Sequence, residues 1–414
     1  MTYHMKKILL LGACRPGHFA LFELGYEVVW MMPKSKAMAV DLKNPYHSII
    51  YYDDYASNEN IIEMARPFHL QKPFNGICTY HDDVQQLAIA ISNQLNIFYE
   101  LDSELSELVH NKYKVRLKLK EAGQDSIEFC QADNTQQLRE ALQSMKLPVI
   151  AKPLSGTGSQ GISIVHTPEQ SEAVLERLLQ CNSGFPIIVE SYLQGREFSV
   201  EGISEGGQHR IIAITEKFID HKTFVELGHV VPARLREDEY AKICTYVASV
   251  LDVLGVSSGL THTEVMLTSE GVQIIETHTR AGGDRIPLLV KYAMGIDLYT
   301  LYARQSAGDG VFDSLKVPVQ PIQAAAVMFV CPDINENALL RKIDNIEEVE
   351  ALEYVQEFKL MKDYGQAMGN LTGSFSRTAM VVVTGADADQ ALARAKDACS
   401  LLTVHCSWNQ RSVS

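Results

Sequence analysis

Thr263-Glu264-Val265-Met266-Leu267-Thr268-Ser269-Glu270-Gly271-Val272-Gln273-Ile274-Ile275-Glu276-Thr277-His278 reads as two strands around a short polar loop. Glycine at 271 supplies the left-handed residue of a three-residue hairpin loop over 269–271, so residues 268 and 272 are expected to face each other. Counting back along both strands places Glu264 opposite Glu276 and His262 opposite His278. Directly opposed carboxylates repel, which makes the pair sensible only around a cation. Two carboxylates on one face, with room for phosphate oxygens and water, suit Mg²⁺ (or Mn²⁺). Zinc is the rival, because His262 and His278 are near; no cysteine joins them, and the spacing does not resemble the usual zinc patterns. Arg280 and Ala281-Gly282-Gly283-Asp284-Arg285 follow. There an arginine and two N–H-rich glycines can stabilise a developing oxyanion.

Two upstream segments fit a nucleotide. Lys152 ends an apolar strand and leads into Pro153-Leu154-Ser155-Gly156-Thr157-Gly158-Ser159-Gln160-Gly161. The glycines match G-x-G-x-x-G literally, but a strand-like run, Ile162-Ser163-Ile164-Val165, follows where a dinucleotide loop must open a helix. No G-K-[ST] follows either, which excludes a Walker loop. What remains is a strand, a glycine loop and a strand, whose N–H groups can fold over a polyphosphate with Lys152 beneath it. In Glu190-Ser191-Tyr192-Leu193-Gln194-Gly195-Arg196-Glu197, the stretch from Glu190 through Tyr192 to Leu193 can offer a purine a strand-edge donor and acceptor. Glu197 can accept from ribose hydroxyls.

The 414 residues allow two to three domains. With 46% hydrophobic and 21% charged residues, the composition is that of a folded protein. The balance of 37 Lys and Arg against 51 Asp and Glu gives −14, which disfavours nucleic acid or anionic lipid as partner. A bound polyphosphate therefore calls for a local cationic pocket. Eight widely scattered cysteines, with no C-x-x-C, fit a reducing compartment. The apolar run at 8–14 reads as a buried first strand as well as a short lipoprotein signal, and no other stretch suits a bilayer span, so a cytoplasmic protein is expected. Residues 1–105 alternate strands (7–11, 26–30, 74–79) with helices (17–25, 84–95), a doubly wound α/β unit. Residues 106–308 carry a basic helix at 111–122, strands at 147–152, 161–165, 186–190 and 197–203, and a helix at 237–254. Residues 309–414 read as an α+β module without evident chemistry, with strand runs at 324–331 and 379–384 and a helix at 387–402.

In this order and over about 170 residues, the signals resemble the ATP-grasp enzymes. The resemblance implies an ATP-grasp fold behind a Rossmann-like domain, with α/β and α+β parts. It makes Lys112, in Asn111-Lys112-Tyr113-Lys114, the first nucleotide lysine and Lys152 the second. It makes Ser155, Gly156, Thr157, Gly158, Ser159 and Gly161 part of the phosphate loop, and Glu190, Tyr192, Leu193 and Glu197 adenine and ribose positions. Glu264 and Glu276 become metal ligands. The family's E-x-N is here Glu276-Thr277-His278, which leaves open whether His278 binds the ion or borders it. Arg280 matches the catalytic arginine. Within the superfamily the chain looks like the L-amino-acid ligases, through Glu276-Thr-His-Thr-Arg-Ala-Gly-Gly-Asp-Arg-Ile-Pro287 and Val225-Glu-Leu-Gly-His229-Val-Val-Pro232. The resemblance implies ATP-dependent joining of two L-amino acids, or an amino acid and a related acid, through an acyl phosphate. His229, Asp82 or Asp83, Arg280 and Arg285 are candidates for substrate groups, and Lys217 is either a phosphate contact or a solvated strand residue. Small-molecule amino acids are the expected partners, with a homodimer allowed. The alternatives are another acyl-phosphate enzyme, of carboxylase or purine-pathway type, and a non-catalytic nucleotide-binding regulator.

Overall fold

The structure is a computed structural model that describes residues 5–154, 161–180, 184–332, 338–371 and 373–408. The glycine-loop residues Ser155, Gly156, Thr157, Gly158 and Ser159 lie outside the described residues.

The first unit is a parallel four-stranded sheet in the order Ser48–Tyr52, Glu27–Pro33, Lys7–Leu11, Gly76–Thr79. Lys7–Leu11 is buried throughout, as its uninterrupted apolar character requires of a central parallel strand. The structure adds strand Ser48–Tyr52 and helix Asn58–Gln71 to the elements legible in the sequence. The first helix starts at Arg15, with Pro16 in its first turn, rather than at 17. The carboxyl ends of Lys7–Leu11 and Gly76–Thr79 deliver Cys14 and residues 80–83 to one edge of the sheet, where ligands of such folds sit.

A small antiparallel sheet, Phe129–Ala132, Ile187–Ser191, Val149–Pro153, Ser163–Val165, packs against helices Thr135–Ser144 and Ser171–Gln180. Next to it stands an eight-stranded antiparallel sheet in the order Gly271–His278, Gly259–Thr268, Arg196–Glu205, Gln208–Ile219, Glu226–Val231, Ala324–Val330, Ala379–Gly385, Val355–Leu360. Helix Glu237–Leu254 buries the apolar stripe 243, 247, 250, 251 and 254 beneath it and ends at left-handed Gly255. The large sheet runs across the 308/309 position: Glu226–Val231 pairs with Ala324–Val330, with Gly228 opposite Met328. The C-terminal residues thus extend the central sheet and reach its functional edge.

The hairpin register needs one correction. Thr268 pairs with Gly271, so the loop holds two residues, and 268 does not face 272. A bulge then skips Ile275 between Val265–Ile274 and Glu264–Glu276. The extra residue compensates for the shorter loop, and Glu264 does face Glu276, as His262 faces His278.

Candidate active site

A cleft of about 1020 Å³ opens where the parallel sheet, the small sheet and the large sheet meet. Glu264 and Glu276 lie on its floor, each facing a lysine. Lys217 Nζ is 2.6 Å from Glu264, and Lys112 Nζ is 3.0 Å from Glu276. Burial disfavours both charges, but the lysines override it: Glu264 is brought to about 2, and Glu276 well below the usual carboxylate range. Both are therefore ionised at neutral pH. His278 stands 3.3 Å from Glu276 and 3.3 Å from Asp82; burial lowers its pKa, and Glu276 and Asp82 raise it above the ordinary value. His262 lies between Glu201, at 3.0 Å, and Glu264, at 3.3 Å. Burial opposes its charge, yet Glu201 pushes it up to about 10. Both of its ring nitrogens are thus turned to carboxylates.

The half of the cleft beside the small sheet surrounds Lys152 and Glu190. Asn111 caps helix Lys112–Glu121 and starts it so that Lys112 enters the cleft from the first turn. Arg116, a charged residue on this helix's buried face, donates to Glu190 at 2.8 Å and pairs with Asp125 at 2.9 Å. The other oxygen of Glu190 faces Lys152 at 2.7 Å. The Glu190 carboxylate is thus committed to holding two cations, and Tyr192 and Leu193 line the cleft beside it. Glu197 lines it as well, 2.8 Å from Lys217. Lys217 is buried and bridges Glu197, Glu226 and Glu264, which excludes a solvated position for it. Gly161 has φ +72 and lies just outside the cleft lining.

At the far end, Arg280 donates from Nε to Asp82 at 2.5 Å and from Nη1 to the Ala281 carbonyl. Asp82 is occupied by Arg280 and His278, while Asp83 is exposed and pairs with Lys36 at 3.0 Å. Gly282 and Gly283 line the cleft. A side chain at 282 would meet His262 Nδ1 at 2.7 Å, which explains the glycine there. His229 is fully buried behind the cleft wall, 3.6 Å from Asp284, and neither ring nitrogen has a hydrogen-bond partner. Arg285 lies outside the lining and pairs with Glu357. Of the expected substrate contacts, Asp82 and Asp83 line the cleft, whereas His229 and Arg285 do not. In their place Glu226, Asp284 and Arg377 frame this end. Glu226 had a signal in the sequence, a charge opening an otherwise uncharged strand-like run. Arg377 had none, and it brings residues 309–414 to the cleft wall.

Charge in the cleft is balanced rather than cationic. Among the described residues, seven Lys and Arg and eight Asp and Glu line it. A buried lysine or arginine is costly without a counter-charge, and each described lysine and arginine of the lining has one.

Residues 145–287 match the ATP-grasp domain, and residues 334–407 match the L-amino acid ligase C-terminal domain 2. Dapdiamide A synthase of Enterobacter agglomerans is 24% identical over 57% of this chain and 57% of its own. Alanine–anticapsin ligase of Bacillus subtilis is 28% identical over 48% of this chain and 47% of its own. The chain thus spans about half the length of the curated relatives it matches. The crystal structure of an L-amino acid ligase from Bacillus licheniformis superposes with TM-score 0.84 at 19% identity, covering 98% of this chain and 99% of that one. The fold is the ATP-grasp fold, whose enzymes use ATP and divalent metal ions. No helix among the described residues is long and apolar enough to cross a membrane.

Proposed function

Taking as premise that the chain joins an ATP-grasp domain to the C-terminal domain of L-amino acid ligases, we propose that it is an ATP-dependent carboxylate–amine ligase. It condenses two L-amino acids, or an amino acid and a related acid, and releases ADP and phosphate. The observation that carries this reading is the Glu264–Glu276 pair, ionised and facing Lys217 and Lys112, in one cleft with Lys152 and Arg280.

ATP would lie along the small sheet, its purine against the backbone near Tyr192 and Leu193 and its ribose at Glu197. Lys112 and Lys152 would turn from Glu276 and Glu190 toward its phosphates. The carboxylates fit a hard divalent cation: both are ionised, they are opposed, and oxygen donors dominate the pair. Glu264 and Glu276 would hold Mg²⁺ or Mn²⁺, with His278 at its border. When bound, the ion supplies positive charge against the phosphate oxygens. A substrate carboxylate oxygen attacks the γ-phosphorus, the bond to the β-bridging oxygen breaks, and ADP leaves. The amine of the second substrate then attacks the acyl carbon, phosphate departs and one proton passes to solvent. Arg280, held at its Nε edge by Asp82, stabilises the tetrahedral oxyanion with Gly282 and Gly283. The division 1–105, 106–308 and 309–414 serves as a functional one: the first part contributes Asp82, the second the nucleotide and metal residues, the third Arg377.

Incubation with ATP, Mg²⁺ and pools of amino acids tests the reading. ADP, phosphate and a dipeptide mass are expected. AMP with pyrophosphate refutes the acyl-phosphate route, bicarbonate-dependent turnover favours a carboxylase, and nucleotide binding without turnover favours a regulator.

A further inference from the structure

The loop after the Glu264–Glu276 hairpin contains a turn with an unsuited residue at one central position. Ile286 N–H donates to the Gly283 carbonyl at 2.8 Å, closing a four-residue turn whose central residues, Asp284 and Arg285, have φ 46 and 66. A turn left-handed at both central positions normally takes Gly, Asn or Asp; arginine there is strained. Strain of this kind persists only where the surroundings over-determine it, and it marks sites whose geometry matters.

Two ion pairs provide that constraint, and both come from the C-terminal module. Arg377 grips Asp284 with two parallel bonds, 2.7 and 2.6 Å. Its own geometry is set by Nε donating to the Ser374 carbonyl at 2.8 Å and by the Phe329 ring, 3.8 Å from the guanidinium carbon. Arg285 pairs with Glu357. Glu357 lies on Val355–Leu360 opposite Val382 of Ala379–Gly385, and Arg377 lies two residues before that second strand, so both arms rise from neighbouring strands at the edge of the large sheet. The grip is planar and bidentate, which a lysine could not reproduce.

We propose that Arg377 and Glu357 are positioning residues: they clamp the Gly283–Ile286 turn in its left-handed form and so hold Gly282, Gly283 and Arg280 in register with the reacting carbonyl. The proposal rests on the ligase reading for what the turn does, and on the geometry alone for the clamp.

Arg377→Ala, Arg377→Lys and the milder Glu357→Gln test it, together with Arg377→Ala combined with Asp284→Gly and Arg285→Gly. Glycine takes left-handed φ without cost, so the triple variant does not need the clamp. Arg377→Ala is expected to lower kcat about 100-fold, the size of an ångström's misplacement of catalytic groups, with KM for ATP unchanged. Arg377→Lys should recover little of this, Glu357→Gln should show the same split to a smaller extent, and the triple variant should regain most of kcat. A triple variant as slow as Arg377→Ala overturns the clamp and makes Arg377 a substrate ligand. Amide hydrogen exchange across 282–286 reads the clamp without turnover: faster exchange in Arg377→Ala and in Glu357→Gln supports it, and wild-type exchange overturns it. A wild-type protein that ligates nothing refutes the proposed function while leaving the exchange result to decide the clamp.

Discussion

Glu190→Gln removes charge from a buried carboxylate while keeping its shape. Arg116 Nε lies 2.8 Å from one oxygen and Lys152 Nζ 2.7 Å from the other. Burial pushes the Glu190 carboxyl up, but Arg116 and Lys152 outweigh it and bring it from 4.5 to about 2. The fall from 4.5 to about 2 corresponds to about 3–4 kcal/mol of stability carried by the ionised form. Breaking a buried pair by removing one partner costs ~3–5 kcal/mol, in agreement. Because the folded pKa lies below the unfolded one, this contribution is complete above pH 4.5 and is lost as pH falls from there through about 2. Urea unfolding of the wild type, Glu190→Gln, Lys152→Met and the double variant measures it. At neutral pH Glu190→Gln should cost about 3 kcal/mol. The double variant should cost less than the sum of the singles, by a coupling of ~0.5–3 kcal/mol, because Lys152→Met removes the cation that glutamine leaves unpaired. Arg116 keeps Asp125 in every case. Additive single effects, or a Glu190→Gln deficit that does not shrink when the pH is lowered to about 3, would refute the reasoning.

Three further outcomes follow from the same geometry. Glu276→Gln should lower ATP-dependent phosphate release by more than about 100-fold, beyond the loss typical of removing a residue behind a metal ligand, with a weakened response in a Mg²⁺ titration; unchanged turnover would defeat the metal-centred account. Asp82→Asn weakens the charge-assisted bond that orients Arg280, so steady-state kinetics should show kcat reduced ~10–100-fold, the worth of one such bond, with KM for ATP unaffected. Gly282→Ala drives a methyl to 2.7 Å from His262 Nδ1 and 3.2 Å from Glu201 Oε2, whereas nothing lies within 4 Å of a Cβ at 283. Urea unfolding should therefore show a loss of ~1–3 kcal/mol for Gly282→Ala and a clearly smaller one for Gly283→Ala.

The fold was legible wherever a local pattern carried it. Lys7–Leu11 and Glu237–Leu254 coincide with the ranges expected from apolar run and helical stripe, because burial of one strand or one helix face is written in consecutive residues. Strand Ser48–Tyr52 was equally open to reading, being aromatic and β-branched. The loop of the metal hairpin illustrates the limit: a two-residue turn and a bulge at Ile275 replace the expected three-residue turn, and only their sum preserves the pairing. Period-two alternation constrains which face a residue takes, not where an extra residue is absorbed.

Within the site, the pairing of Glu264 with Glu276 and of His262 with His278 was already readable from local order, since a hairpin's partners lie a few residues apart and share one turn. The resemblance grouped Lys112, Lys152 and Arg280 as candidates for one site, and all three line the one cleft. The tertiary structure alone decided which charge answers which. Asp82 reaches Arg280 across 198 positions, Arg116 reaches Glu190 across 74, and Arg377 reaches Asp284 across 93. Those pairings depend on how three sheets pack around the cleft, and buried charges take whichever counter-charge the packing brings within about 3 Å. That is why the acidic chain holds a charge-balanced cleft, and why a module without visible chemistry supplies one of its arginines.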